Sequence, residues 1–279
     1  MLSYQHAYHA GGFADVIKHL ALVQILDYMV QKDKPLFYLD THSGRGLYHL
    51  RDKYALKTQE AAAGIELLWS VRTQLPKEFD QYIQAIRQWN PDGQLQHYPG
   101  SPALAMHGLR EQDRLYFCER HPREFEHLNA FVRQYPHPRA HCANEDGYQQ
   151  LNALLPPSER RGLIMIDPSY EVKNEYRQVT QMVKTAHRLF ETGTYCIWYP
   201  IVDKKLHAHL LRGFEALDAP KHLRAEFHLN AKAPQGMDGC GVYMINPPFV
   251  LEQQLRVVFD HLLQVFHPKR SSYVLDTLR

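Results

Sequence analysis

Gly162-Leu163-Ile164-Met165-Ile166-Asp167-Pro168-Ser169-Tyr170-Glu171 is the stretch that decides the fold. Five apolar residues without a polar interruption read as a strand buried on both faces, the mark of a parallel sheet covered by helices. Asp-Pro then halts the strand and leaves a carboxylate at the edge of the sheet, with the Tyr170 ring beside it. A carboxylate, a proline-fixed carbonyl and an aromatic face suit a planar base with an exocyclic amine. The amine donates hydrogen bonds to Asp167 and the Pro168 carbonyl, and the base stacks on Tyr170. The same four residues also read as an ordinary strand-to-loop corner, so the remainder of the chain has to decide between the two.

Outward from this stretch, strands and helices alternate. Upstream, Ala140-His141-Cys142-Ala143 reads as a short strand, and Asp146 either caps the helix carrying Leu151, Leu154 and Leu155 or accepts from an adenine amine. Leu115 to Cys118 forms another strand ending in Glu119, an acid placed to accept both hydroxyls of a ribose. Tyr98-Pro99-Gly100-Ser101-Pro102 precedes it, with Ser101 expected to cap a helix whose first residue is Pro102. Near the N-terminus, Leu36 to Asp40 is a second buried strand, leading into Thr41-His42-Ser43-Gly44-Arg45-Gly46. Two glycines in a tight strand exit let backbone approach a ligand. Position 49 is His49 rather than a third glycine, which counts against a nicotinamide cofactor.

Before that strand, Val16, Leu20, Val23, Leu26 and Val30 mark a helix over 14–31, with Asp15, Lys18 and His19 together on its flank. Residues 1–13, with Tyr4, His6, Tyr8 and His9, read as an irregular arm. Residues 48–93 break the alternation with two helical patterns, so they read as a helical insertion between 1–47 and 94–279. Its Trp69 and Trp89 read as packing residues. Downstream of Asp167 come a polar loop over 171–175, a helix to Phe190, and the strand Tyr195 to Trp198. Strands near 225–229 and 242–245 follow, and a final helix spans 251–266.

Composition bounds the partners. The formal net charge is only +2, so binding to nucleic acid needs a local patch. Arg45 with Arg51, Lys53 and Lys57 forms such a cluster, as do Arg160-Arg161, Lys204-Lys205 and Lys269-Arg270, although each taken singly reads as solvated surface. Cys118, Cys142, Cys196 and Cys240 have no paired spacing and read as reduced thiols of a cytoplasmic protein, with no metal site. No apolar run reaches the length of a membrane span and no signal peptide is evident.

Asp167-Pro168-Ser169-Tyr170 resembles the Asp/Asn-Pro-Pro-Tyr/Phe motif of S-adenosylmethionine-dependent amino methyltransferases, with Ser169 in place of the second proline. The 40–46 segment resembles their first motif. Asn246-Pro247-Pro248-Phe249 is the closer literal match, but its strand is expected on the far side of the sheet from the point where strand order reverses. Several ordered matches extend the likeness along the chain: Met1 to Tyr4, Ala14 to His19, Tyr38 to Gly44, Tyr98 to Pro102, Asp146-Gly147 and Ile166 to Glu171. Together they resemble the bacterial 23S ribosomal RNA adenine-N6 methyltransferase family RlmJ.

The resemblance implies a Rossmann-like class I methyltransferase of the α/β class, with a seven-stranded, mostly parallel sheet and a small helical insertion. It implies S-adenosylmethionine as cofactor, contacted by His19, His42, Ser101, Glu119, Asp146, Gly147 and Asp167. Asp167, Pro168 and Tyr170 form the catalytic group, and Tyr4 and Lys18 face the RNA. The expected reaction is methyl transfer to N6 of one adenine in 23S ribosomal RNA, free or early in assembly, by a monomer. The competing readings are a DNA adenine methyltransferase and a non-catalytic RNA-binding module with a degenerate cofactor site.

Overall fold

Parallel pairing of two short apolar strands organises the molecule. The computed structural model describes residues 5–229, 237–266 and 270–278. In it β1 (Phe37–Asp40) and β6 (Gly162–Ile166) run side by side with Phe37 opposite Gly162 and Asp40 opposite Met165. Both are fully buried, as two-sided apolar strands require. Along them the pleat sends Tyr38, Leu163 and Met165 to one face and Phe37, Leu39, Ile164 and Ile166 to the other. Each such side chain taken from water contributes about 1.5–3 kcal/mol.

The other strands of the main sheet are β4 (Arg114–Cys118), β5 (Ala140–Ala143), β7 (Thr194–Ile201), β8 (His222–His228), β9 (Gly239–Ile245) and β10 (Ser272–Leu278). Their order is β10-β8-β9-β7-β6-β1-β4-β5, with β9 antiparallel between β7 and β8. After β1 the chain builds outward through β4 and β5, then returns to lay β6 and β7 on the other side. The reversal therefore falls between β1 and β6, where a doubly wound sheet opens a crevice at its carboxyl edge. One face is covered by α1 (Phe13–Val30), α5 (Ser101–Gly108), α6 (Pro122–Gln134) and α10 (Leu251–Val265). The opposite face carries α7 (Gly147–Leu154), α8 (Glu175–Leu189) and α9 (Lys204–Glu215).

Several expectations need correction. The sheet has eight strands among the described residues, not seven: β10 adds antiparallel to β8 after the last helix. Only Leu275 of β10 is buried, so this edge strand carries no apolar alternation that a sequence pattern would register. A two-stranded ribbon, β2 (Leu47–His49) with β3 (His97–Pro99), closes the base of the inserted segment. Within that segment lie α2 (Ala55–Thr58), α3 (Ile65–Ser70) and α4 (Asp80–Gln88). Ile65, Leu68, Phe79, Tyr82 and Ile86 join the same apolar core as α1. From Gln5 onward the irregular arm packs down, with Ala7 and Ala10 buried. Ser101 does not cap: Gly100 holds the cap position without a side-chain bond, and the Ser101 hydroxyl turns to the Asp40 carboxyl.

Asn246 lies at the opposite end of the sheet from Asp167. Because β9 runs antiparallel to β7, Ile245 pairs with Tyr195 near the start of β7. The Asn246 amide donates to the Glu191 and Gly193 carbonyls at 2.7 and 2.9 Å, a structural role in a turn at φ +52°.

Beyond β7 a buried carboxylate ties three elements together. Glu226 accepts from Tyr199 at 2.8 Å, from Arg224 at 2.9 and 2.7 Å, and contacts His207 at 2.7 Å. Burial alone would raise its pKa, but the bonds from His207, His228 and Arg224 outweigh that and hold it well below the ordinary range. Glu226→Ala strands these donors and should cost about 3 kcal/mol in chemical denaturation at pH 7. A depressed carboxylate stabilises the fold above its unfolded pKa of 4.5, so the deficit of the variant should shrink as the pH falls below that value.

Candidate active site

A cleft of about 230 Å³ opens over the tips of β1, β4 and β6, and its walls come from the loops that leave those strands. From the β1 exit come Thr41, His42, Ser43 and Gly44; from β4, Glu119 and His121; from α7, Asp146, Gly147 and Tyr148; from β6, Asp167, Pro168 and Ser169. The loop after β1 is pinned to β6, since the Thr41 N–H and hydroxyl both donate to the Met165 carbonyl at 3.0 Å. Gly44 turns at φ +61°, where a side chain would collide with the Tyr48 hydroxyl. That turn aims its N–H at Glu119 Oε2, 2.8 Å away. At the far wall, a Cβ on Gly147 would sit 2.1 Å from the Thr41 carbonyl, so only glycine lets α7 start this close to the β1 loop. Asp146 does cap α7, accepting from the Tyr148 N–H at 2.9 Å.

Helix α1 supplies the floor. Asp15, Lys18 and His19, expected together on the flank of this helix, are each less than 5 % exposed. The Lys18 ammonium donates to Asp15 at 2.8 Å and to Asp167 at 2.5 Å, and lies 5.9 Å from the Trp198 ring. Burial opposes its charge, yet the two carboxylates more than compensate and raise its pKa well above the ordinary value. Asp15 is held well below the usual range: burial works against its charge, and His6 and Lys18 outweigh it. His19 is pushed well below its ordinary value by burial and by Lys18, and its Nδ1 pairs with the Tyr98 hydroxyl at 2.7 Å. A neutral His19 thus leaves Nε2 buried, facing no described protein partner.

The acids of the cleft are tuned differently. Glu119 is raised by burial to about 7, against bonds from the His121 and Gly44 N–H groups. Asp40, wholly buried beneath the floor, is raised to about 6 by burial, with Ser101, His42 and Tyr38 pulling the other way. Burial lowers His42 to about 4, so it is neutral at pH 7. Its ring meets the Tyr148 ring edge to face at 5.0 Å. With Glu119, Glu124, Asp146, Asp167, Glu171 and Glu175 on its walls against Lys18 and Arg120, the cleft favours a cationic ligand and disfavours a polyphosphate.

His19, His42, Ser101, Glu119, Asp146, Gly147, Asp167 and Pro168 all line this one cleft, as does Lys18. Tyr4 lies outside the described residues. Tyr170 differs from expectation. It is 8 % exposed, at φ +53°, with its hydroxyl on the Trp198 carbonyl at 2.9 Å and its ring against Tyr176 and Trp198. It braces the loop instead of presenting an open face. Glu175, in the first turn of α8, accepts from the Tyr170 N–H and the Ser169 hydroxyl, giving the loop a tether where the motif's second proline is missing. Sequence reasoning did not single out Glu175, Tyr148 or the Asp15 partnership. Only the last had a signal, the three-residue spacing of Asp15 and Lys18 on one helix. Lys18→Met should leave the buried Asp15 and the half-buried Asp167 without their shared cation and cost about 3 kcal/mol, read as a lower denaturation midpoint at pH 7.

Against known proteins, the family model described as "Ribosomal RNA large subunit methyltransferase D, RlmJ" matches residues 33–278. A Haemophilus influenzae protein named "Ribosomal RNA large subunit methyltransferase J" is 40 % identical over 271 residues, covering 96 % of this chain and 95 % of that one. Its Escherichia coli namesake is 41 % identical over 263 residues, covering 94 % and 93 %. The crystal structure of a Legionella pneumophila protein, LPL1258, superposes with a TM-score of 0.90 at 46 % identity over 96 % of this chain and 98 % of that one. Matched over most of its length in sequence and in architecture, the chain belongs to the RlmJ family of ribosomal RNA large subunit methyltransferases.

Proposed function

We propose that this methyltransferase binds S-adenosylmethionine in the acid-lined cleft and transfers its methyl group to the exocyclic N6 of an adenine in 23S ribosomal RNA. One observation carries the reading: Asp167 ends the strand beside β1, at the floor of a cleft whose charge suits a sulfonium and an ammonium group. The residues present fit such a cofactor. Glu119 would accept from a ribose diol and Asp146 from an adenine amine, and both line the cleft. The buried His19 Nε2, His121 Nδ1 and Tyr148 hydroxyl line the same cleft with no described partner. When bound, S-adenosylmethionine supplies a methyl on a positively charged sulfur, which keeps the bonding electron pair as the methyl leaves.

The chain's own residues do the rest. An adenine N6 lone pair is spread into the ring and is a poor nucleophile. Hydrogen bonds donated by the amine to Asp167 and to the Pro168 carbonyl would draw the pair out of that conjugation and aim it across the cleft. Lys18 occupies Asp167 Oδ2 and no described residue bonds Oδ1, so the second oxygen serves as acceptor. In this reading Lys18, expected on the RNA side, serves the substrate through Asp167. It holds that carboxylate in place, and the proton that N6 sheds passes to Asp167 or to water. The target base must leave its stack to reach this depth, which favours protein-free or incompletely assembled RNA. A monomer acting in the cytoplasm, with Tyr4 of the arm touching the RNA, completes the proposal.

Asp167→Ala should lower methyl transfer to protein-free 23S ribosomal RNA by at least about 10³-fold while the chain stays folded at the assay temperature, read by circular dichroism. Near-normal turnover, or preferred methylation of duplex DNA, would refute the assignment. The pH dependence follows from Glu119. In the free protein its raised pKa means the fold binds a proton that the unfolded chain releases above 4.5, so this group lowers stability as the pH rises toward 7. A diol donating two hydrogen bonds prefers the carboxylate, so cofactor binding should expel that proton. Calorimetric affinity for S-adenosylmethionine should therefore rise as the pH increases through about 7 and then level off. Glu119→Gln should flatten the curve.

A further inference from the structure

A flipped adenine alone gives an enzyme little hold on a large RNA, and a net charge of +2 supplies no general attraction, so a docking surface has to be local. Beside the cleft, the arm and the insertion together build one candidate. Tyr8 and Tyr54 meet edge to face with ring centroids 5.1 Å apart. The Lys53 ammonium lies 5.0 Å from the Tyr54 ring and the Lys57 ammonium 5.6 Å from the Tyr8 ring. A bond from the Thr58 hydroxyl to the Tyr8 carbonyl joins the two segments.

The nearby acids are already engaged. Asp52 accepts from the Tyr54 and Ala55 N–H groups at 2.9 Å, Glu60 pairs with His9 at 2.7 Å, and Glu66 pairs with Arg51 at 3.2 Å. Lys53 and Lys57 are exposed, and among the described residues no carboxylate lies within ion-pair distance of either. The patch is continuous with the cleft through Arg45, which sits 6.0 Å from the Tyr54 ring and 5.6 Å from that of Tyr48, a cleft-lining residue.

We propose that Tyr8, Lys53, Tyr54 and Lys57 form the docking surface for the RNA strand flanking the target adenine, the two lysines meeting successive phosphates and the tyrosines offering faces to unstacked bases. Cations without an acid partner are the ones whose engagement releases counterions from RNA. Rings interleaved with them add stacking that tolerates sequence, as single-stranded RNA requires. An acidic peptide would meet the lysines but leave the ring faces unused. This inference rests on reading the cleft as the adenine site of a ribosomal RNA methyltransferase.

The test compares the full chain with Lys53→Ala/Lys57→Ala, using protein-free 23S ribosomal RNA and, separately, S-adenosylmethionine. Affinity for RNA, read by filter retention at about 0.15 M salt, should fall roughly tenfold. The slope of log affinity against log salt should shrink by about 1.4, the value for two phosphate contacts on a single strand. KM for RNA should rise with kcat unchanged, and cofactor affinity and melting temperature should stay as they are. Tyr54→Phe should retain RNA affinity and Tyr54→Ala should weaken it. An unchanged salt slope in the double variant, or equal competition by polyglutamate and RNA, overturns the proposal. If the unaltered chain binds RNA with the full slope yet transfers no methyl, the chemistry fails while the docking surface stands.

Discussion

Hydrogen bonding between Phe37–Asp40 and Gly162–Ile166 is the constraint from which the site follows. Two strands far apart in sequence meet in parallel register, and the chain leaves both at the same edge. The loop with Gly44 and the loop with Asp167 must then face one another across a strand spacing of about 4.8 Å. Neither loop makes a pocket by itself. Their juxtaposition exists only because the apolar strands are buried on both faces, and a slip by one residue would turn Tyr38 and Met165 toward the wrong layer.

Charge is the second organising theme. Taking carboxylates from water is costly unless they are paired or protonated, and the cleft uses both routes. Asp15 and Asp167 share the Lys18 ammonium, which together with His6 holds Asp15 well below the usual carboxylate range. Asp40 and Glu119 lack a cation and are raised by burial to about 6 and about 7. Acids under tension beside a neutral His42 make a site that gains when a cationic ligand with hydroxyl and amine donors arrives. The same arrangement explains why the proposed catalytic carboxylate is positioned from α1: a helix packed against the sheet delivers the cation that, among the described residues, pairs with Asp167.

Legibility followed the physics of the signals. Buried parallel strands announce themselves as unbroken apolar runs, so 36–40 and 162–166 were plain, as were the acids at their ends and at Glu119. Asp146 was read correctly as a cap because its side-chain bond is local. Local capping rules place the cap of α5 at Ser101, one position late, since its hydroxyl is drawn off by Asp40, a partner those rules cannot see. β10 escaped notice because an edge strand with a single buried residue has no apolar period. The motif suggests an open ring at Tyr170, but its burial is set by Tyr176 and Trp198 from α8 and β7, partners that no local pattern shows.

By itself the sequence determined the class of fold, the strand ends that carry carboxylates, and a likeness strong enough to indicate methyl transfer to ribosomal RNA. These rest on period, composition and motif order, which are properties of neighbouring residues. Tertiary structure alone decided that Lys18 grips Asp167, that the antiparallel run of β9 carries Asn246 to the opposite end of the strands, and that Tyr8 meets Tyr54 edge to face. Each depends on contacts between segments tens to more than a hundred residues apart. Their distances are set by sheet register and helix packing rather than by anything written locally in the chain.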